Sequence, residues 1–259
     1  MCGRFVITSS PDAIRRLFGY AETPNFPPRY NVAPTQPIPT VMLSHGAKHF
    51  QLMRWGLIPN WAKDPAKVGL LINARSETLT ERPAFRNAMR YRRCLVPADG
   101  YYEWPQQGPR KRPLYIYPAQ GGPIGFAGLA ETWTGPNGEE VDTVAIITTA
   151  AARDLAGFHP RMPAIIPPDA FDLWLNCREA DAEIASSLLM PARAGALRFH
   201  EVSSAVNRHV NDDASLIAEI TAEQRAAEDA AAAAPPRKPK APAKPADDSD
   251  QDSGQGSLF

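Results

Sequence analysis

Cysteine is scarce in this sequence, which contains three in 259 residues: Cys2, Cys94 and Cys177. Their odd number and wide spacing exclude a disulfide framework and match no zinc-ligand motif. We therefore predict no structural disulfide, no metal site and no cofactor. Each cysteine has to be considered separately, and Cys94, which lies in an apolar run, is expected in the core.

Long hydrophobic runs are also missing. No segment has the roughly 20 consecutive apolar residues that cross a bilayer, and no charged start precedes an apolar stretch of signal-peptide length. These absences exclude a membrane protein and predict a cytoplasmic one. Hydrophobic residues still make up 44% of the sequence, which suffices for one domain with a sizeable core.

The sequence has no net charge, since 28 basic residues balance 28 acidic ones. Their distribution is uneven, because residues 1–212 contain 23 Lys and Arg against 19 Asp and Glu, a net charge of +4. This excess permits an anionic ligand such as nucleic acid, but many ordinary enzymes carry as much. Charge alone therefore assigns no function.

Hydrophobic periodicity and turn residues predict an α+β domain with a largely antiparallel, barrel-like sheet, because no alternation of strand and helix appears. Pro11 is expected to open a helix that Gly19 ends, and the proline-dense stretch 24–39 is expected to be an irregular loop. Strands are predicted at 2–7, 40–43, 50–55, 71–75, 94–97, 101–104, 114–117, 124–130 and 144–149, and further helices at 83–89, 168–175 and 180–189.

We divide the chain into a domain at 2–221 and a tail at 222–259. A last helix is predicted to begin after Asn211 and to continue past Ile220 into an alanine-rich stretch, where Pro235 must stop it. The tail is rich in alanine, proline and charge, a composition that cannot bury a core, and we expect it to be disordered.

Cys2 is the first candidate for chemistry. A small residue at position two permits removal of Met1, which leaves a cysteine with a free α-amine. The reference pKa values, about 7.7–8.0 for the amine and about 8.5 for the thiol, make a fraction of each nucleophilic near neutral pH. Such a pair condenses with an aldehyde: the amine forms an imine, and the thiol closes a five-membered thiazolidine ring. Considered alone, Cys2 is more often a small buried residue that begins a strand.

Other segments contain polar groups that suit this chemistry. Asn73 could hold the cysteine backbone or a sugar oxygen, and Arg75 could bind a phosphate. Glu103, among aromatic residues, could relay protons, although its spacing equally fits a salt bridge to a nearby arginine. A histidine side chain titrates in the range that imine chemistry needs, so His159 could supply a proton, and Arg161 could hold a flanking phosphate if the stretch is extended.

These roles have structural alternatives. A strand-end asparagine often closes a turn, and a lone histidine is commonly a capping or core residue. Trp61 could stack on unpaired bases if its ring is exposed, whereas Trp55, at the end of a strand, is expected in the core.

Five segments form a recognisable set: Met-Cys-Gly-Arg-Phe at 1–5, Trp-Gly-Leu-Ile-Pro at 55–59, Asn-Ala-Arg-Ser-Glu-Thr at 73–78, Pro-Ala-Asp-Gly-Tyr-Tyr-Glu-Trp at 97–104 and His-Pro-Arg-Met-Pro at 159–163. Together they resemble the SRAP family, the SOS-response-associated peptidase-like proteins. The resemblance extends over roughly residues 2–212, and the segments are jointly specific although none is decisive alone.

The resemblance implies a compact α+β fold whose positive cleft binds single-stranded DNA, with Cys2 forming a thiazolidine to a ring-opened abasic deoxyribose. It implies that Asn73 orients the reacting groups, that Glu103 relays protons and that His159 assists ring opening. By the same resemblance, Arg4, Arg75 and Arg161 match positions that hold DNA phosphates. Such a protein would associate with the nucleoid when it is bound to DNA.

The tail contains one further motif. Its last residues resemble the short peptide by which bacterial proteins dock on the DNA sliding clamp, in which Gln255, Leu258 and Phe259 would enter a hydrophobic groove.

Two rival functions stay open at this stage. The first is a cysteine-type peptidase or autopeptidase that uses the Cys2 thiol with His159. The second is a non-catalytic module that binds single-stranded nucleic acid without a covalent adduct. A lyase side reaction is also expected, since an imine at the abasic carbon acidifies the neighbouring position and permits strand cleavage.

Overall fold

The computed structural model of this protein describes residues 2–105 and 111–233. Within these ranges, thirteen strands form two sheets. The strands are β1 (Phe5–Ile7), β2 (Arg29–Val32), β3 (Pro37–Ser44), β4 (Ala47–Trp55), β5 (Asn73–Arg75), β6 (Arg93–Ala98), β7 (Gly100–Glu103), β8 (Leu114–Pro118), β9 (Ile124–Thr134), β10 (Glu140–Ala150), β11 (Arg161–Pro163), β12 (Ile165–Ile166) and β13 (Leu197–Glu201). The α-helices are α1 (Pro11–Phe18), α2 (Arg86–Tyr91), α3 (Phe171–Leu175), α4 (Ala182–Ser186) and α5 (Ala222–Ala233). The predicted α+β class is confirmed.

The larger sheet closes into a five-stranded barrel, because β10 pairs with both ends of the run β4-β3-β6-β9. Neighbouring strands of the barrel are antiparallel except β10 and β4. Towards the carboxyl end of β10, β5 joins one edge in parallel and β11 joins in antiparallel orientation. The main hydrophobic core fills this barrel, and both Trp55 and Cys94 are fully buried there, as predicted.

The second sheet has the order β13-β8-β7-β1-β2, and all its neighbouring strands are antiparallel. Its central strand pair, β1 and β7, places Phe5 opposite Tyr101. Phe5 and Tyr101 both make edge contacts with Phe126 of the barrel strand β9, at centroid distances of 6.1 and 6.2 Å. The two sheets therefore share one apolar interface, which fixes β1 and the residues before it relative to the barrel.

Helix α1 follows its sequence signals. The Ser10 hydroxyl accepts a hydrogen bond from the Ala13 N–H at 3.2 Å, Pro11 is the first helical residue, and Gly19 ends the helix with a φ of +75°. A left-handed residue at this position is favourable for glycine, which has no Cβ to clash. The prediction for this element is confirmed.

The prediction of an irregular loop at 24–39 is wrong in part, because β2 and the beginning of β3 lie there. The Gln36 carbonyl accepts a hydrogen bond from the Trp55 N–H at 3.0 Å. By strand alternation, Pro37 and Pro39 then direct their nitrogens away from β4, towards the edge that β6 joins only at Val41. Two prolines are thus accommodated in β3 without loss of a ladder hydrogen bond to β4.

The prediction of one continuous last helix is also wrong. A 3-10 helix at Ala214–Ile217 ends at Ala218, which is extended with a ψ of 141°, and α5 begins only at Ala222. The Ile220 N–H instead donates to the Glu201 carbonyl of β13 at 2.9 Å. This tertiary bond interrupts the helix, and α5 occupies the first twelve residues of the stretch that we assigned to the tail.

Strands β11, β12 and β13 were not predicted.

Candidate active site at the amino terminus

Cys2 lies three residues before Phe5, the first residue of β1, and is fully buried. The Tyr102 N–H donates to the Arg4 carbonyl at 3.0 Å, which continues the β1–β7 ladder towards the amino terminus. This register brings the first residues of the chain alongside Glu103, the last residue of β7. Burial raises the pKa of the Cys2 thiol to about 12, and the negative charge of Glu103 acts in the same direction.

Asn73 is the first residue of β5 and pairs in register with Ile146 of β10. Its side-chain amide donates to the Cys2 carbonyl at 2.8 Å. Its Oδ1 atom is buried and has no hydrogen-bond partner among the described residues. A buried acceptor without a partner costs free energy, so this oxygen is available to a donor that binds beside Cys2.

Glu103 and His159 approach each other next to this contact. His159 Nδ1 lies 3.9 Å from Glu103 Oε2, and both side chains are largely shielded from solvent. The Arg161 backbone N–H donates to His159 Nδ1 at 3.0 Å, which orients the imidazole ring. The Trp104 N–H donates to the other carboxylate oxygen of Glu103 at 3.2 Å. Both groups are therefore held in defined orientations by the backbone.

The loop that carries His159 is attached to both sheets. The Ala151 N–H donates to the Pro160 carbonyl at 2.9 Å, which closes the loop on the end of β10. Phe158 packs edge-to-face on Phe199 of β13, with ring centroids 4.7 Å apart. Because β13 belongs to the second sheet, the position of His159 depends on the packing of the two sheets.

The three arginines differ in their surroundings. Arg4 is half-buried and donates to the side chain of Asn31 at 2.7 Å and to the Val206 carbonyl at 3.0 Å. Arg75, the last residue of β5, is exposed. Arg161 donates to the Glu77 carboxylate and to the Thr148 carbonyl, and its Nη2 atom lies 3.2 Å from the Thr148 hydroxyl oxygen.

Trp61 lies on the loop between β4 and β5, and 57% of its surface is exposed. It lines a shallow hollow of about 350 Å³ together with residues of the β9–β10 hairpin. The exposure that base stacking requires is therefore present. The tail residues Gln255, Leu258 and Phe259 lie outside the described residues, so the clamp-binding peptide stays a prediction from sequence.

The structure thus brings Cys2, Asn73, Glu103 and His159 to one place through β1, β5, β7 and the loop before β11. Sequence reasoning assigned no role to several residues that hold this arrangement: Asn31, Glu77, Thr148 and Phe199. Glu77 belongs to a segment that we had singled out, whereas an isolated asparagine or phenylalanine carries no local signal. Residues 2–105 and 111–233 include no group of three or more potential ligands that could hold a metal ion.

Comparison with known protein families identifies the class of protein to which this fold and this cluster of residues belong. The sequence signature of the family described as SOS response associated peptidase (SRAP) matches residues 1–209. The chain therefore belongs to the SRAP family. Over the part of the chain that the structure describes, no helix is both long and apolar enough to span a membrane.

The relatives include bacterial and vertebrate proteins. The chain is 40% identical over 222 residues to the abasic site processing protein YoqW of Bacillus subtilis, an alignment that covers 84% of this chain and 99% of the relative. It is 39% identical over 222 residues to YoaM of the same organism, which has the same descriptive name, with 84% and 97% covered. A crystal structure of a protein from Bacteroides thetaiotaomicron superposes with a TM-score of 0.75 at 28% identity, covering 85% of this chain and all of the other.

Proposed function

We propose that this protein processes abasic sites in DNA, and that it captures them in single-stranded DNA as a covalent thiazolidine on Cys2 after removal of Met1. The observation that carries the proposal is the convergence of Asn73, Glu103 and His159 around Cys2, in the segment that precedes β1. A side-chain amide, a carboxylate and an imidazole at a chain terminus suit chemistry that begins at an α-amine. The names of the relatives supply the substrate class.

The proposed reaction has two bond-forming steps. The Cys2 amine adds to the C1′ aldehyde of the ring-opened sugar, and loss of one water gives an imine. The thiol then adds to the imine carbon, and its proton passes to the nitrogen, which closes the ring. The overall reaction releases one molecule of water and consumes no cofactor.

The side chains around Cys2 have matching roles in this proposal. Asn73 holds the Cys2 carbonyl at 2.8 Å, and its Oδ1, which has no hydrogen-bond partner in the described part of the chain, can accept a hydrogen bond from the new α-amine. Glu103 takes up and returns protons as the amine adds and water leaves. His159, 3.9 Å from that carboxylate, donates the proton that opens the sugar ring.

The state of the thiol supports a thiazolidine more than a peptidase. A cysteine peptidase needs a thiolate as its first nucleophile, whereas burial raises the pKa of the Cys2 thiol to about 12. In the thiazolidine reaction the amine reacts first. The thiol then adds within the same residue, where proximity compensates for a low thiolate fraction.

The DNA strand would be held by Arg4, Arg75 and Arg161 through its phosphates and by Trp61 through stacking on a base. Phosphate contacts position the strand without reading its sequence, so we expect capture to depend on the lesion and little on the flanking bases.

The test combines intact mass spectrometry with a denaturing gel. The protein is incubated with a single-stranded oligonucleotide that contains one abasic site, beside Cys2→Ala and beside a variant with one extra residue between Met1 and Cys2. We expect a heat-stable adduct with the mass of the protein without Met1, plus the oligonucleotide, minus water. Neither variant should form it. An adduct with the extended variant would show that the free amine of Cys2 is not needed and would exclude the thiazolidine.

The same samples examine the peptidase alternative. A peptidase that acts on other chains needs the thiol but no free α-amine, so the extended variant would still cleave a protein substrate. A non-catalytic DNA-binding module would bind the oligonucleotide equally well with Cys2→Ala and would never form an adduct.

A further inference from the structure

Glu77 contacts Arg161, the arginine that the proposed function assigns to a DNA phosphate. It lies in the 3-10 helix Ser76–Thr78, directly after β5, and its carboxylate forms an ion pair with Nη1 of Arg161. The hydrogen bond from Arg161 lowers the pKa of this carboxyl group, so Glu77 is negatively charged near neutral pH. The pair resembles the contact that a phosphate oxygen would make with the same guanidinium.

The other side of Arg161 is anchored independently of Glu77. Nη2 donates to the carbonyl of Thr148, a fully buried residue of β10. The Nε atom is also buried and has no hydrogen-bond partner among the described residues. The remaining nitrogen, Nη1, is the one that Glu77 contacts.

The two partners differ in solvent exposure. The side chain of Arg161 is 15% exposed, whereas that of Glu77 is 53% exposed. An exposed carboxylate is well solvated after it leaves the ion pair, which limits the free-energy cost of breaking the pair. Glu77 can thus leave Arg161 at low cost while Thr148 keeps the guanidinium in place.

We propose that Glu77 is a built-in competitor of DNA phosphate at Arg161, which weakens reversible binding of single-stranded DNA before any covalent step. This inference rests on the proposed function, because it takes Arg161 to bind phosphate. Its consequence is selectivity: undamaged strands, which offer no aldehyde, are released quickly, whereas an abasic site is retained by the bond to Cys2. Glu77 would lower the occupancy of the protein on DNA that needs no capture.

The test measures reversible binding to an undamaged single-stranded oligonucleotide by fluorescence anisotropy, in a Cys2→Ala background that cannot form the adduct. Glu77→Gln should bind about 1.5- to 5-fold more tightly, the range that corresponds to a weak surface ion pair. Its salt dependence should be steeper by at most about 0.7 in the log–log slope, since no carboxylate is released to take up a cation. Thermal unfolding of each variant verifies that it is folded.

Two controls make the result specific. Asp172→Asn removes the same charge and the ion pair with Lys48, but on helix α3, which packs on β6. It should change the affinity less than Glu77→Gln. In an Arg161→Ala background, Glu77→Gln should have no further effect, because the competed contact is gone.

Three results would overturn the inference. Unchanged or weaker binding by Glu77→Gln would make Glu77 irrelevant or a residue that positions Arg161 for DNA. Equal tightening with Asp172→Asn, or in the Arg161→Ala background, would indicate a general charge effect. If no variant bound DNA, both this inference and the proposed binding of DNA phosphate by Arg161 would be rejected. Adduct formation with native Cys2 is measured separately, so failure of covalent capture leaves the binding result interpretable.

Discussion

The substitution Asn73→Asp tests the hydrogen bond between Asn73 and Cys2, which links the barrel to the amino terminus. The substitution keeps the shape of the side chain but replaces the amide donor, which lies 2.8 Å from the Cys2 carbonyl, with a carboxylate oxygen. The hydrogen bond is lost, and two oxygen acceptors face each other. A negative charge is also added near Glu103.

The magnitude follows from the loss of one partner in a shielded hydrogen bond. Leaving a buried acceptor without a donor costs about 1–3 kcal/mol. If this free energy is added to the activation barrier because the reacting amine is misoriented, adduct formation becomes about 5- to 150-fold slower, at about 1.4 kcal/mol per tenfold. The affinity for DNA should change much less, because the phosphate contacts are untouched.

The assay is a single-turnover time course of adduct formation at saturating abasic oligonucleotide, stopped in denaturant and resolved on a gel. Asn137→Asp, which makes the same chemical change at an exposed position in the β9–β10 hairpin, should react at the native rate. If Asn73→Asp also reacted at the native rate while remaining folded, the assignment of Asn73 to orienting Cys2 would be refuted.

Three further results are expected. Cys2→Ser should cleave an abasic strand faster than the native protein, because the imine still forms but ring closure by the thiol no longer competes with elimination; equal cleavage would contradict this competition. In a Glu77→Gln background, Arg161→Ala should weaken binding of single-stranded DNA and reduce the log–log salt slope by about 0.7, as expected for one lost phosphate contact, and an unchanged slope there would remove Arg161 from the DNA interface. A peptide of residues 250–259 should bind the bacterial sliding clamp in a calorimetric titration, and no binding would exclude the docking motif.

Much of the fold was predictable because its signals are local. Ser10, Pro11 and Gly19 bound α1 by capping rules that act within one turn. Continuous apolar stretches such as Cys94–Pro97 indicated buried strands, and β6 extends one residue beyond that stretch on each side. Where contacts far along the chain dominate, local rules failed: β3 tolerates Pro37 because of its neighbours in the sheet, and Ala218 is extended because Ile220 bonds to β13.

The candidate residues were also suggested by sequence, but only as separate motifs. Cys2 was a candidate because of its position in the chain. Asn73, Glu103 and His159 were candidates because the segments that contain them occur together in one sequence. Their separations of up to 157 positions give no indication of contact. Glu77 lies in one of these segments, but nothing in the sequence indicated its contact with Arg161.

The amino-acid order alone carries the 1,2-aminothiol that Met1 removal would expose, the absence of membrane-spanning runs, and the α+β pattern, since each depends on covalent neighbours or short-range periodicity. The convergence of three strands and one loop on Cys2 arises from the closure of the barrel and its packing against the second sheet. That packing also buries Cys2 and raises the pKa of its thiol. Burial and electrostatic environment are properties of neighbours in space, and here those neighbours come from distant parts of the chain.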